Sequence, residues 1–144
     1  MSIVSTFVDD QPVELEIHDT VAGNEMIEDR KRLYAIADGF IICVAVDDRG
    51  SFDSVDRWEN EIRLSNLNNL SQGIPIILLS TKKDLIQECE DPVMMHHLMS
   101  KHSISSTLYG VTETSAKDWE DQNVVQAFAK VTTACFKYKY PEYC

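Results

Sequence analysis

Three short stretches carry residue types able to hold a charged or hydrogen-bonding ligand: Asp19 with Gly23 in "EIHDTVAGNE", Thr81-Lys82-Lys83-Asp84 in "LLSTKKDL", and Thr114-Ser115-Ala116-Lys117 in "VTETSAKD". Each directly follows an apolar run. A carboxylate accepts hydrogen bonds at two oxygens, a lysine adds a flexible cation, and a glycine lets the backbone approach a ligand closely. In an open α/β sheet ligands sit outside the carboxyl ends of the strands, so three such strand ends would converge on one edge.

The elements that must position them are legible as alternating periodicities. Ile3 to Val8 and Val13 to His18 alternate apolar and polar residues around the turn-rich Asp9-Asp10-Gln11-Pro12, which predicts an antiparallel hairpin. Asn24 to Ala37 reads as a polar helix, and "GFIICVAV", Gly39 to Val46, as a strand covered on both faces. After "DDRGSF", with Ser51 as the expected N-cap, Phe52, Val55, Glu59 and Ile62 recur at helical spacing to about Leu64. "IPIILLS" is a second buried strand, "DPVMMHHLMSKH" a helix with Pro92 in its first turn, and "STLYGVTETS" a third strand. Val124, Phe128, Val131 and Cys135 form the stripe of a last helix. This alternation predicts one α/β domain with a doubly wound, mostly parallel sheet flanked by helices.

Composition limits the function classes. The 144 residues match one domain, and 44% hydrophobic with 26% charged is globular. A net charge of −11 repels nucleic acid and anionic lipid surfaces. Cys43, Cys89, Cys135 and Cys144 contain no C-x-x-C pair, so reduced thiols of a soluble, cytoplasmic chain are expected, with no signal peptide at Met1-Ser2-Ile3.

"DTVAGNE", "TKKDL" and "ETSAK", each at a strand end and in this order, together resemble the Ras superfamily of small GTPases, as does "YAIADGFIICVAVDDRGSFDSVDRW". The resemblance runs from about Val4 to Phe136 and implies a Ras-like P-loop NTPase fold. It equates Thr81-Lys82-Lys83-Asp84 with the family's [NT]-K-x-D guanine motif and Ser115-Ala116-Lys117 with its S-A-K partner. GTP or GDP with Mg²⁺ would be the ligands, and protein effectors or regulators the partners. The chemistry agrees: a carboxylate at Asp84 can accept from the N1–H and N2–H edge of guanine, which adenine lacks. The Ala116 N–H can donate to O6, and the Lys82 stem can cover the purine face. Threonine at Thr81 leans toward the Rho group, but the short segment from Leu85 to Glu113 leaves little room for that group's extra helix, so the subfamily stays open.

Departures from the family pattern set further expectations. The family reads D-x-x-G, its acid reaching Mg²⁺ through water and its glycine meeting the γ-phosphate; here Asp19 and Gly23 stand one residue further apart. Asn24 occupies the place of the water-orienting glutamine and is one methylene shorter, which should position an attacking water poorly. No G-x-x-x-x-G-K-[ST] occurs in these residues, and Val4 aligns with the family's second strand. The expectation is therefore an N-terminally incomplete domain with a guanine pocket but no phosphate pocket. Two charge-assisted hydrogen bonds would supply roughly 3 to 6 kcal/mol, which after the cost of association leaves millimolar affinity or weaker. The leading reading is a guanine-nucleotide-switch protein, weak or inactive as this chain stands. The alternative is a nucleotide-free pseudo-GTPase that binds proteins.

Other constellations carry less. "FVDDQP" with Asp47, Thr81 and Lys101 resembles the acidic pair, phospho-acceptor, hydroxyl and lysine of a response-regulator receiver, yet "PVELEI" alternates like a strand where a receiver needs a helix. His96, His97 and His102 with Cys89 suggest a metal set, but adjacent helical histidines point to different faces. "KYKYPEYC" is not a C-a-a-X box, so no lipid anchor motif is present there.

Overall fold

The computed structural model describes residues 1–66, 74–104, 108–117 and 122–143. The hairpin consists of β1 (Ser2–Val8) and β2 (Gln11–Ile17), antiparallel with Val8 opposite Gln11 and Ser2 opposite Ile17. It closes through Asp9 and Asp10, both left-handed with φ of 48° and 65°. Two consecutive positive φ values match the right-handed twist of the strands, and aspartate tolerates them better than most residues. Gln11 and Pro12, expected in the turn, are therefore the first residues of β2.

A parallel sheet in the order β3 (Phe40–Ala45), β4 (Ile76–Thr81), β5 (Leu108–Glu113) forms the centre. From Ile76 to Ser80 every residue of β4 is buried, as a strand covered on both faces requires. Phe40, Ile42, Val44, Ile76 and Leu78 face one core, filled by Tyr34 of α1 (Ile27–Ile36), Val55 and Ile62 of α3 (Val55–Ser65), and Leu98 of α4 (Met95–Ile104). The short α2 (Arg49–Asp53) precedes α3. On the reverse face α5 (Gln122–Lys139) crosses β4 and β5 and reaches β1. Its close approach is helped by Gly39, where a Cβ would collide with Cys135 Sγ; at Gly110 a Cβ would only displace the flexible end of Lys130.

The hairpin and the parallel sheet are two separate hydrogen-bonded units, and among the described residues no strand pairs with the outer edge of β3, as expected of a domain that lacks the strand between them. Several expectations are corrected. The helix after β3 is capped by Asp48, whose carboxylate accepts from Ser51 N at 3.2 Å, not by Ser51. Ser51 instead turns its hydroxyl back, accepting from Ala45 N and donating to Asp48 O. Asn24–Met26 is a 3-10 turn leading into α1, and α4 starts at Met95, with Val93 N before it donating to Val46 O at 2.8 Å. The buried face of α5 is Ala127, Val131, Thr132 and Ala134 rather than the stripe through Val124 and Phe128; small side chains let the helix sit closer to the sheet. His96 is exposed and His97 half-buried against Phe52, as adjacent helical positions dictate, although their ring centroids lie 4.0 Å apart.

Candidate functional site

The second and third strand ends meet. Thr81 closes β4, where its hydroxyl donates to Val44 O at 3.5 Å and its carbonyl accepts from Val46 N at 3.2 Å. Lys82 then takes a left-handed conformation, φ 60° and ψ 36°, at a cost of about 1 to 2 kcal/mol for a residue with a Cβ. This reversal lets Lys83 N donate to Thr114 O at 3.1 Å and starts the 3-10 helix Lys83–Glu88 that carries Asp84. Thr114 is anchored in turn on Ser80 O, through its N–H at 2.7 Å and its hydroxyl at 2.9 Å.

Across this junction Ser115, only 1% exposed, donates its hydroxyl to Asp84 Oδ1 at 2.7 Å. One carboxylate oxygen is thereby fixed, while Oδ2 and the second lone pair of Oδ1 remain able to accept from a planar pair of N–H donors. Ala116 and Lys117 lie exposed in the turn that follows. The Lys82 ammonium lies 3.5 Å from Asp47 Oδ1, so the first residue beyond Val46 restrains it. Asp47 was legible as a strand-end acid, but nothing in its spacing named Lys82 as its partner. Lys101, the third member of the receiver-like set, is bound to Asp56 at 2.7 Å on a different face, so that set does not assemble.

Asp19, Gly23 and Asn24 occupy another loop, held by a device that no motif announces. Arg30 of α1, 4% exposed, donates through Nη1 to Val21 O at 2.9 Å and to Gly23 O at 2.6 Å. Its Nε and Nη2 bind both carboxylate oxygens of Glu61 on α3, at 3.2 and 2.8 Å. The Glu61 carboxylate holds the guanidinium above its ordinary pKa. Trp58 lies under Arg30 at 5.3 Å and under Arg57 at 4.6 Å. Gly23 itself is extended with φ 146°, a conformation in which a side chain would be strained. Asn24 is exposed at the start of the 3-10 turn, and Asp19 is exposed after β2, close enough to Cys43 that, after burial, it helps push that thiol's pKa up.

Protein side chains alone do not assemble a metal cage at this loop. Asp19 is one carboxylate, and among the described residues no group of three His, Cys, Asp or Glu side chains could hold an ion. The His102 side chain lies outside the described residues. Also among the described residues, no helix is long and apolar enough to cross a membrane.

The model of the Ras family matches residues 2–137. The chain is 33% identical over 118 residues to a GTP-binding RHO-like protein of Candida albicans (strain WO-1), covering 81% of this chain and 31% of that protein. It is 30% identical over 129 residues to Ras-related protein Rab-7b of Mus musculus, covering 88% and 61%. Over 126 residues it is 30% identical to GTP-binding protein ypt1 of Schizosaccharomyces pombe (strain 972 / ATCC 24843), covering 87% and 57%. The chain thus spans between 31% and 61% of the length of these curated relatives.

Proposed function

The chain belongs to the Ras family, and from that premise we propose that it serves guanine-nucleotide-dependent signalling, with the base read by Asp84 and Ala116 and the surface read by protein effectors or regulators. The Ser115–Asp84 hydrogen bond carries this reading. It orients a carboxylate whose remaining lone pairs suit the N1–H and N2–H edge of guanine, and Ala116, the next residue after Ser115, has an N–H able to donate to O6. Lys82, restrained by Asp47, covers one face of the base, while Thr81 and Lys117 frame the two loops.

GDP and ADP, each at millimolar concentration, are to be titrated into the ¹⁵N-labelled chain and followed by amide shifts. GDP should perturb residues 81–85 and 115–117, weakly and without ADP doing the same, and Asp84→Ala should remove the effect. Equal response to ADP would overturn the assignment.

We propose further that GTP hydrolysis by this chain is weak or absent. Asn24 is shorter than a glutamine, and the Asp19–Gly23 spacing is one residue longer than D-x-x-G. With bound nucleotide, Mg²⁺ would neutralise phosphate charge, but Asp19 is the sole carboxylate this loop offers toward it, and we derive no step through the ion. The second reading, a nucleotide-free protein-binding module, is favoured by the Arg30 bridge, which holds the turn to α3 through protein groups.

A further inference from the structure

Between α1 and α3 lies an open groove of about 560 Å³, bordered by the Val21–Asn24 turn. Ile27, Trp58 and Leu64 give it an apolar wall, and Leu64 is 64% exposed although nothing in its polar helical surroundings requires an apolar residue there. Its charge is opposite to that of the molecule. The chain carries −11, yet the groove is lined by Arg30, Lys31 and Arg57 against the single carboxylate of Glu61. That carboxylate is consumed by Arg30, and among the described residues Lys31 and Arg57 enter no ion pair.

We propose that this groove docks an acidic amphipathic segment of a partner protein, its apolar side chains on Trp58 and Leu64 and its carboxylates on Lys31 and Arg57. The inference rests on the reading of the chain as a signalling module that engages proteins. An apolar surface ringed by charge suits an amphipathic segment, which buries its anchors and pairs its rim. At physiological salt, charges beyond about 8 Å are screened, so the local cations, not the distant net negative charge, decide the sign of the partner. A basic segment would set like charges against Lys31 and Arg57. The floor is also pre-organised: the four hydrogen bonds of Arg30 and the contacts of the Trp58 ring with the Arg30 and Arg57 guanidiniums leave little to order on binding.

The test is a titration of the ¹⁵N-labelled chain with three short helical peptides sharing one Leu/Phe face and carrying Glu, Gln or Lys on the other. The Glu peptide should bind tightest, with amide shifts centred on Lys31, Trp58 and Leu64. In Lys31→Glu/Arg57→Glu its affinity should fall about tenfold or more, and the Lys peptide should gain, with near-ultraviolet dichroism confirming an intact fold. Binding of the Gln or Lys peptide as tight as the Glu peptide, shifts centred elsewhere, or no binding by any of the three would overturn the proposal. So would a single-stranded oligonucleotide competing for the groove as well as the Glu peptide. The nucleotide titration reads residues 81–85 and 115–117, so failure of base recognition and failure of the groove are seen separately.

Discussion

Ser115 and Asp84, 31 residues apart, are joined by a hydroxyl-to-carboxylate hydrogen bond of 2.7 Å that ties the loop after β5 to the loop after β4. The donor is buried and the acceptor exposed, so the bond is anchored in the sheet and presents its carboxylate to solvent. Because the accepting group is charged but wet, its loss should cost about 1 kcal/mol, below the roughly 1.5 to 3 kcal/mol of bonds to charged groups in general. Urea unfolding of Ser115→Ala checks this. Unchanged stability together with an unchanged response of residues 81–85 to GDP would mean that the bond positions nothing.

Arg30 and Glu61 are both nearly enclosed, with side chains 5% and 12% exposed. Removing one partner of a buried, hydrogen-bonded pair strands the other, at about 3 to 5 kcal/mol. Arg30→Ala should therefore destabilise far more than Arg30→Met combined with Glu61→Leu, which replaces both charges with apolar volume. Denaturation midpoints of the two variants decide the matter. Equal losses would show that packing, not stranded charge, dominates.

Gly39→Ala should destabilise by about 1 to 3 kcal/mol through overpacking, since the new methyl meets Cys135 Sγ and lies 3.3 Å from Pro75 O. Adding Cys135→Ala should recover most of that loss, leaving the Pro75 contact as the residue of the effect. Burial and the nearby Asp38 carboxylate push the Cys135 thiol up to about 12, so it should resist alkylation at pH 8 until the fold opens.

His97 accepts a hydrogen bond at Nδ1 from Met94 N at 2.9 Å at the start of α4 and lies against Phe52 and His96. Burial, then His96 and Arg49, lower its pKa below the ordinary 6.5, with Asp91 opposing. The folded state thus binds its proton less readily than the unfolded state. The stabilisation is complete above pH 6.5 and is lost as pH falls from there through the depressed folded value. Thermal melts between pH 7.5 and 5.5 should show a falling midpoint, with a shallower slope in His97→Gln. Parallel slopes would assign the pH dependence elsewhere.

What the sequence determined by itself is local. Alternation placed the hairpin, the continuous apolar runs placed β3 and β4, and the recurrence of Val55, Glu59 and Ile62 marked the buried face of α3. The strand-end residues Thr81 to Asp84 and Ser115 to Lys117 were legible because a parallel sheet gathers its carboxyl ends by rule. The tertiary structure alone decided the rest. The polar look of α1 concealed the most enclosed ion pair among the described residues, because a guanidinium and a carboxylate on separate helices carry no periodic signal of each other. Asp47 finds Lys82 only when β3 and β4 lie in register, Ala45 opposite Thr81. Where α5 lies on the sheet was likewise settled by the small volumes of Gly39, Ala127 and Ala134, which admit a close approach that hydrophobicity does not encode. Periodicity reports which face of an element is apolar; which elements meet, and which charges they bring together, depends on distances that exist only once the chain has closed on itself.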